Sequence, residues 1–252
     1  MEIKDKVAVV TGGAHRVGKA IALGLAGAGA HLVVHYHQSE DKARATVAEI
    51  QEKGVRAIAV GGDLADHVDV VNLFRAAEAE FGGVDILVNS AAIMEPGEVL
   101  TLTPEEWFRS ININLTGPFF CAQQAARSMR ARGRSASQPS GDSGVIVNIA
   151  DLSGLQPWAK YPAHSVSKAG LLMATKVLAK ALAPDIRVNA IAPGPVVKPD
   201  DWPDERWRAV GQGTLLKRAG SGYDVARAVQ FIIEQDFMTG ETLVIDGGSL
   251  YV

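Results

Sequence analysis

The sequence predicts an α/β fold, a single doubly wound parallel sheet of about seven strands with helices on both faces, formed as one domain over residues 1–252. Three observations predict it. Short apolar runs alternate with longer stretches of helical spacing along the whole chain. The runs are apolar enough to be covered on both faces, as strands of parallel sheets are. A glycine-rich turn separates the first run from the first helical stretch, where an open α/β sheet receives ligands.

Strands are expected at 7–10, 31–35, 57–60, 86–88, 145–149, 187–191 and 242–245. Helices are expected between them at 17–28, 41–53, 68–81, 104–131, 164–183 and 223–234, where apolar residues recur at helical spacing. An eight-stranded β/α barrel needs one more strand and gives no reason for the glycine turn. Two segments break the rhythm. Residues 133–144, Gly-Arg-Ser-Ala-Ser-Gln-Pro-Ser-Gly-Asp-Ser-Gly, are poor in apolar side chains and read as a flexible solvated loop. Residues 193–214 follow the sixth strand with Pro, Gly, Asp and two Trp, a composition that suits a loop-and-helix flap over a substrate.

Composition narrows the function classes. Hydrophobic residues make up 47%, charged residues 21%, and the net charge is −3, which favours a small-molecule ligand over nucleic acid or anionic membrane. Cys121 lies in the apolar run Gly-Pro-Phe-Phe-Cys-Ala, reads as a buried helix residue, and has no second cysteine to pair with. The first residues run directly into a strand without the apolar core of a signal peptide, and no run reaches transmembrane length, so a cytoplasmic location is expected. No Cys/His cluster has zinc spacing and no calcium loop is present, so no metal is expected.

The turn Thr11-Gly12-Gly13-Ala14-His15-Arg16-Val17-Gly18 joins the first strand to the first helix. Gly12 permits the tight turn, Gly18 permits helix to pack on strand, and free amides at the helix start suit a pyrophosphate. The second strand ends His35-Tyr36-His37-Gln38-Ser39, without the acid that an NAD-specific site places on the ribose hydroxyls. Arg16, His37 and Ser39 can serve a 2′-phosphate, so NADP(H) is the expected cofactor. Asp63 can accept from an adenine amino group and Asn89 can brace the sheet edge; each is equally a turn former.

Together with that turn, Asp63-Leu64, Leu87-Val-Asn-Ser-Ala91, Asn112-Ile-Asn114-Leu, Ser165-Val-Ser-Lys168-Ala-Gly, Arg187-Val-Asn-Ala-Ile-Ala-Pro193-Gly194 and Thr239-Gly240…Asp246-Gly247-Gly248 resemble the short-chain dehydrogenases/reductases over nearly the whole chain. The resemblance implies a Rossmann-type sheet, a nicotinamide-dependent carbonyl or imine oxidoreductase, and a homo-oligomer, commonly a tetramer. It assigns the cofactor's surroundings to Gly12, Arg16, Val17, Gly18, His35, Tyr36, His37, Ser39, Asp63, Leu64, Asn89, Ser90, Ala91, Lys168, Pro193 and Gly194. Arg16 and the stretch 35–39 look most like the pteridine reductase branch.

In that family the acid is a tyrosine four residues before the lysine, with serine, or aspartate in pteridine reductases, thirteen residues before the tyrosine. Here Lys168 and Asp151 stand in place, but the tyrosine position holds His164. Residues four apart share a helix face, so His164 and Lys168 can point together into the cleft. Asp151 favours the imidazolium and Lys168 opposes it, which makes His164 the candidate general acid. Lys168 would hold the nicotinamide ribose, and Asn114, by resemblance, would support a water or the lysine. Two readings stand beside this one: Tyr161, three residues earlier, replaces His164 as acid, or the chain binds NADP(H) as a weakly active or inactive sensor or scaffold.

Pteridine reductases set an aromatic ring shortly after the Asn89 motif, where this chain has Met94, and a serine where it has Ala92. Methionine covers a flat ring but does not stack as an aromatic does. Trp158, Trp202 and Trp207 can supply an aromatic wall or pack a core or a subunit interface. The apolar helices 104–131 and 164–183 and the apolar C-terminus suit homo-oligomer contacts.

Overall fold

The computed structural model describes residues 1–132 and 143–252. Seven parallel strands, β1 (Val7–Thr11), β2 (His31–Tyr36), β3 (Ala57–Gly61), β4 (Ile86–Asn89), β5 (Gly144–Ile149), β6 (Ile186–Pro193) and β7 (Thr242–Ile245), form one sheet in the order β3-β2-β1-β4-β5-β6-β7. The strand order reverses between β1 and β4, whose ends register Thr11 beside Asn89. This is the Rossmann-type arrangement, and its switch point opens a crevice beyond the carboxyl ends of the strands.

The helices are α1 (Arg16–Gly27), α2 (Glu40–Gln51), α3 (His67–Phe81), α4 (Pro104–Ile111), α5 (Gly117–Arg132), α6 (Pro162–Leu182), α7 (Asp204–Gly213) and α8 (Gly222–Glu234). Alternate residues of β1 point to opposite faces, so Ala8 and Val10 join a core beneath α1, α2 and α8, while Val7 and Val9 join a second core beneath α3, α5 and α6. Local chemistry fixes the helix starts. Asp66 caps α3 on the amide of Val68, and Thr103/Glu106 and Ser221/Asp224 form reciprocal capping boxes on α4 and α8. The buried Arg187 of β6 donates to the carbonyls of Ile232 and Ile233 at the end of α8, satisfying oxygens that the helix leaves without partners. Among the described residues, no helix is long and apolar enough to cross a membrane.

Two expectations need correction. The region 104–131 is not one helix: a π-helical turn, Asn112–Thr116, separates α4 from α5. The turn sets Asn114 inward onto the backbone of Ile93, an attachment that a continuous α-helix does not supply. The loop 133–144 also ends earlier than its composition suggests, because Gly144 is the first residue of β5. A Cβ there would stand 2.3 Å from the Met129 sulfur, so this glycine serves close helix-on-strand packing rather than a turn. Residues 133–142 of that loop lie outside the described residues. Cys121 is buried, and loss of hydration pushes its thiol up to about 12, leaving it unreactive.

Candidate active site

A cleft of about 1050 Å³ runs beyond the strand ends from the glycine turn to the first turn of α6 and the segment 194–210. At one end, Gly12 has φ +64, and a Cβ on it would meet the Ala91 Cα at 2.9 Å. A Cβ on Gly18 would stand 2.1 Å from the Gly12 carbonyl oxygen. Both positions require glycine, and the close backbone approach leaves a cradle at the start of α1. No side chain caps the first turn of that helix, so its amides and the positive end of its dipole suit a phosphate group.

The turn is braced from behind. His35 is 2% exposed; its Nε2–H donates to the Gly62 carbonyl at 3.0 Å, and its Nδ1 accepts from the Gly12 amide at 3.3 Å. Both ring nitrogens are used only by the neutral tautomer, and burial pulls the imidazole down to about 4. His35 therefore ties β2 and the end of β3 to the turn. Thr11 completes the brace, its hydroxyl oxygen accepting from the amides of Ser90 and Ala91. Asn89 donates to the Pro118 carbonyl and to Asn148, a contact within the sheet edge.

Arg16, Val17, Tyr36, His37, Ser39, Asp63 and Leu64 line this end of the cleft. Arg16 has φ +54, a conformation that disfavours a side chain, so its presence there carries local strain. His37 Nε2 lies 4.0 Å from Asp63 Oδ2, and Asp63 uses Oδ1 on the Ala65 amide. Loss of hydration, then the charges of Lys42 and Arg16, hold His15 below its ordinary value. His15 lines the cleft but was not among the residues expected at the cofactor; Lys42, on α2, acts on it through its charge.

At the other end, β5, the turn after it and α6 bring Asp151, His164 and Lys168 together, with the adjoining Asn114. Asp151 opens a 3₁₀ turn, Leu152–Gly154, its Oδ1 accepting from the Ser153 amide at 2.8 Å. Lys168, 3% exposed, donates to the Ile149 carbonyl at 2.8 Å; burial lowers it to about 8 against the opposing pull of Asp151. Asn114 Oδ1 accepts from the Ile93 amide, and its Nδ2 reaches the Ile93 carbonyl, both at 2.9 Å.

His164, also 3% exposed, presents Nδ1 to the same Ile93 carbonyl at 2.9 Å. A carbonyl only accepts, so Nδ1 carries the proton. The Asn114 Nδ2 at 3.4 Å has closer acceptors in Ile93 and Ser167 and does not contest the assignment. Nε2 is then the free nitrogen. It is buried without a hydrogen-bond partner and faces Asp151 Oδ1 at 3.9 Å, beyond hydrogen-bond reach. Burial and then Lys168 pull this imidazole down, while Asp151 and the Ile93 carbonyl pull it up; the net direction is down.

Tyr161 stands at the N-cap position of α6 without a side-chain capping bond, lines the same cleft and packs edge-on against Trp158. Trp202, Trp207, Met94 and Val210 complete the lining on this side, with Pro193 and Gly194 at the end of β6. The Ile93 carbonyl, which sets the His164 tautomer, escaped the sequence reading because a backbone oxygen has no residue-type signal.

A family model described as enoyl-(acyl carrier protein) reductase matches residues 12–249. The chain is 37% identical to 3beta-hydroxysteroid dehydrogenase 1 of Eggerthella lenta, with 98% of this chain and 94% of that protein covered. It is 34% identical to a 3-oxoacyl-(acyl-carrier-protein) reductase of Staphylococcus epidermidis, covering 97% and 98% respectively. Among solved structures, FolM alternative dihydrofolate reductase 1 of Brucella canis, complexed with NADP, superposes with a TM-score of 0.88 at 31% identity over 100% of this chain and 97% of that one. A blue fluorescent protein from a metagenomic library, in complex with NADPH, gives 0.86 at 34% identity over 99% of each chain.

Proposed function

The chain belongs to the short-chain dehydrogenase/reductase family, and from that premise we propose that it is an NADP(H)-dependent oxidoreductase that reduces a carbonyl or imine, of keto or pterin-like type, with His164 carrying the proton. One observation carries the reading: the buried, unpartnered Nε2 of His164 faces Asp151 in the same cleft as the glycine cradle and Lys168. The cradle fits a dinucleotide because the turn closes tightly on its own backbone at Gly12 and Gly18 and leaves the first amides of α1 without a side-chain cap. The relatives solved with NADP and NADPH agree with the Arg16 guanidinium at the rim of that cradle. When bound, the cofactor supplies the hydride.

The chain's own residues do the rest. Lys168 holds the ribose side of the site and keeps positive charge near the reacting oxygen. His164 delivers a proton from Nε2, which requires that Nε2 first be protonated; Asp151 steadies that imidazolium. Tyr161, at the mouth of the same cleft, is the alternative donor. Segment 193–214, with Trp202 and Trp207, acts as the substrate flap of what we read as one domain. Exposed Val166, Met173 and Val177 along α6 suit a homo-oligomer, a tetramer by family resemblance, which a mass measurement in solution tests.

A second reading, an NADP(H)-binding protein with little or no turnover, is favoured by one feature: Nε2 is closed to solvent, and burial with Lys168 opposes its protonation. NADPH consumption with a panel of ketones and pterins separates the two. We expect turnover that climbs as pH falls toward and below 6.5, because the acid form of His164 is scarce at pH 7. His164→Ala should lower kcat by about a hundredfold or more. An unchanged rate in His164→Ala, with a flat profile between about pH 5 and 8, rejects His164 as donor. NADPH binding without consumption selects the second reading.

A further inference from the structure

Resting on the oxidoreductase reading, we propose that Trp202 selects the substrate by stacking: its indole, backed by the guanidinium of Arg206, takes one face of a flat conjugated ring that carries the carbonyl or imine to be reduced.

The indole is fixed before any substrate arrives. The Arg206 guanidinium lies 3.6 Å from the centre of the Trp202 ring, which places it over one face. Trp202 is only half-buried, and it lines the cleft that also holds His164 and Lys168. With one face occupied by the cation, the ring can offer the cleft only its other face and its edge. The backbone beneath it is equally constrained. The Trp202 amide donates to the Pro199 carbonyl at 3.1 Å, closing a turn, and the following Pro203 restricts the backbone of Trp202 itself. Lys198 Nζ spans this turn to Asp204 Oδ1 at 2.5 Å, and Arg206 stands in the first turn of α7, which Asp204 opens. With the ring and its backbone both held, little rotamer freedom remains to be lost when a ligand meets it.

A fixed indole face favours one ligand shape. A flat conjugated ring meets it in an offset stack over its whole area, and the ring quadrupoles add to the area buried. A puckered saturated ring touches the same face through a few axial hydrogens, and a flexible chain must give up rotamers to lie along it. Met94, 49% exposed, lines the same cleft, and its thioether adapts to a ring without requiring one. Trp158 is engaged edge-on with Tyr161, the ring centres 6.2 Å apart. Among the described residues that line the cleft, Trp202 is the indole held through one face by a cation. It carries no proton of the reaction, so its effect falls on which substrate binds.

The experiment that tests this separates stacking from chemistry and from simple burial. The whole protein is titrated with 1-tetralone and with 1-decalone in the presence of NADP⁺, which has no hydride to give. The two ketones share a carbon skeleton and the saturated one is the more apolar, so burial alone favours 1-decalone. Stacking should reverse that order, with 1-tetralone bound about fivefold more tightly. The preference should vanish in Trp202→Leu, persist in Trp202→Phe, and fall to about twofold in Arg206→Ala, where the ring loses its backing. Indole emission should drop as 1-tetralone binds, and by less in Trp202→Phe than in the wild type. A 1-decalone bound as tightly as 1-tetralone, a preference that survives Trp202→Leu or stays whole in Arg206→Ala, or an emission drop that Trp202→Phe leaves unchanged overturns the proposal, as does the failure of both ketones to bind. The same titrations without cofactor keep the test valid if NADP⁺ does not bind, a result that rejects the oxidoreductase reading alone. Preference for 1-tetralone without NADPH consumption upholds this inference and rejects catalysis.

Discussion

The two ends of the cleft are held by different means. At the dinucleotide end the backbone decides the shape: Gly12 and Gly18 leave no room for a Cβ, and His35 and Thr11 tie the turn to neighbouring strands through main-chain groups. At the 151–168 end, side chains decide: Asp151, His164, Asn114 and Lys168 meet from separate elements, and the proton inventory depends on one carbonyl, that of Ile93. A backbone cradle tolerates few residue types and works at any ordinary pH. A side-chain cluster can exchange a member, as His164 stands where the family has a tyrosine, but its chemistry then depends on which atom holds a proton.

The sharpest break of that contrast is Gly18→Ala. The added methyl would lie 2.1 Å from a backbone oxygen that cannot rotate away, so α1 must shift from its strand. Stability should fall by about 3 kcal/mol or more, beyond the usual range for overpacking, and NADPH affinity by about a hundredfold. Chemical denaturation and NADPH fluorescence titration read the two effects. An alanine variant of wild-type affinity would show that the turn is not built around close approach.

A smaller effect tests the brace. His35→Ala leaves the Gly12 amide without its partner and opens a gap behind the turn, at about 2 to 3 kcal/mol near pH 7. The wild type should also lose stability with acid. His35 binds its proton near 6.5 when unfolded but only at about 4 when folded, so the unfolded chain takes up protons first as pH falls. The contribution is complete above about 6.5, declines through the interval down to about 4, and amounts to at most about 3 kcal/mol. Denaturation midpoints at pH 7, 5.5 and 4 should show a slope in the wild type that the alanine variant lacks. Equal slopes would assign the acid sensitivity elsewhere.

This contrast also explains what could be read from residues alone. The inner strands were legible because burial on both faces demands a largely apolar run, and the glycine turn because sterics at Gly12 and Gly18 admit one residue type. The break in the 104–131 helix was not, since the π turn is selected by a distant partner: Asn114 reaches the backbone of Ile93. Gly144 misled for a related reason, as glycine marks turns and close packing alike, and only the Met129 sulfur tells which. At the other end of the cleft, the meeting of residues 151, 164 and 168 could be expected from the family resemblance. Which nitrogen of His164 carries the proton could not, because the Ile93 carbonyl that settles it is common to every residue type.

The smallest stability effect is expected at the point where the two ends' rules overlap. Arg16 is a side chain placed by a backbone that disfavours it, with φ +54 at the first residue of α1. Glycine would relieve about 1 to 2 kcal/mol of strain and return about 0.4 to 1 kcal/mol through the freer unfolded chain, so Arg16→Gly should stabilise the apo protein by about 0.5 kcal/mol. Loss of the guanidinium removes a charge-assisted contact from the rim near His15, and NADPH should bind about tenfold more weakly. NADH, which lacks the 2′-phosphate, should bind almost as before. A variant that gains stability and keeps its preference for NADPH would move the phosphate site onto Lys42 and His37, and the strain at position 16 would then need another reason.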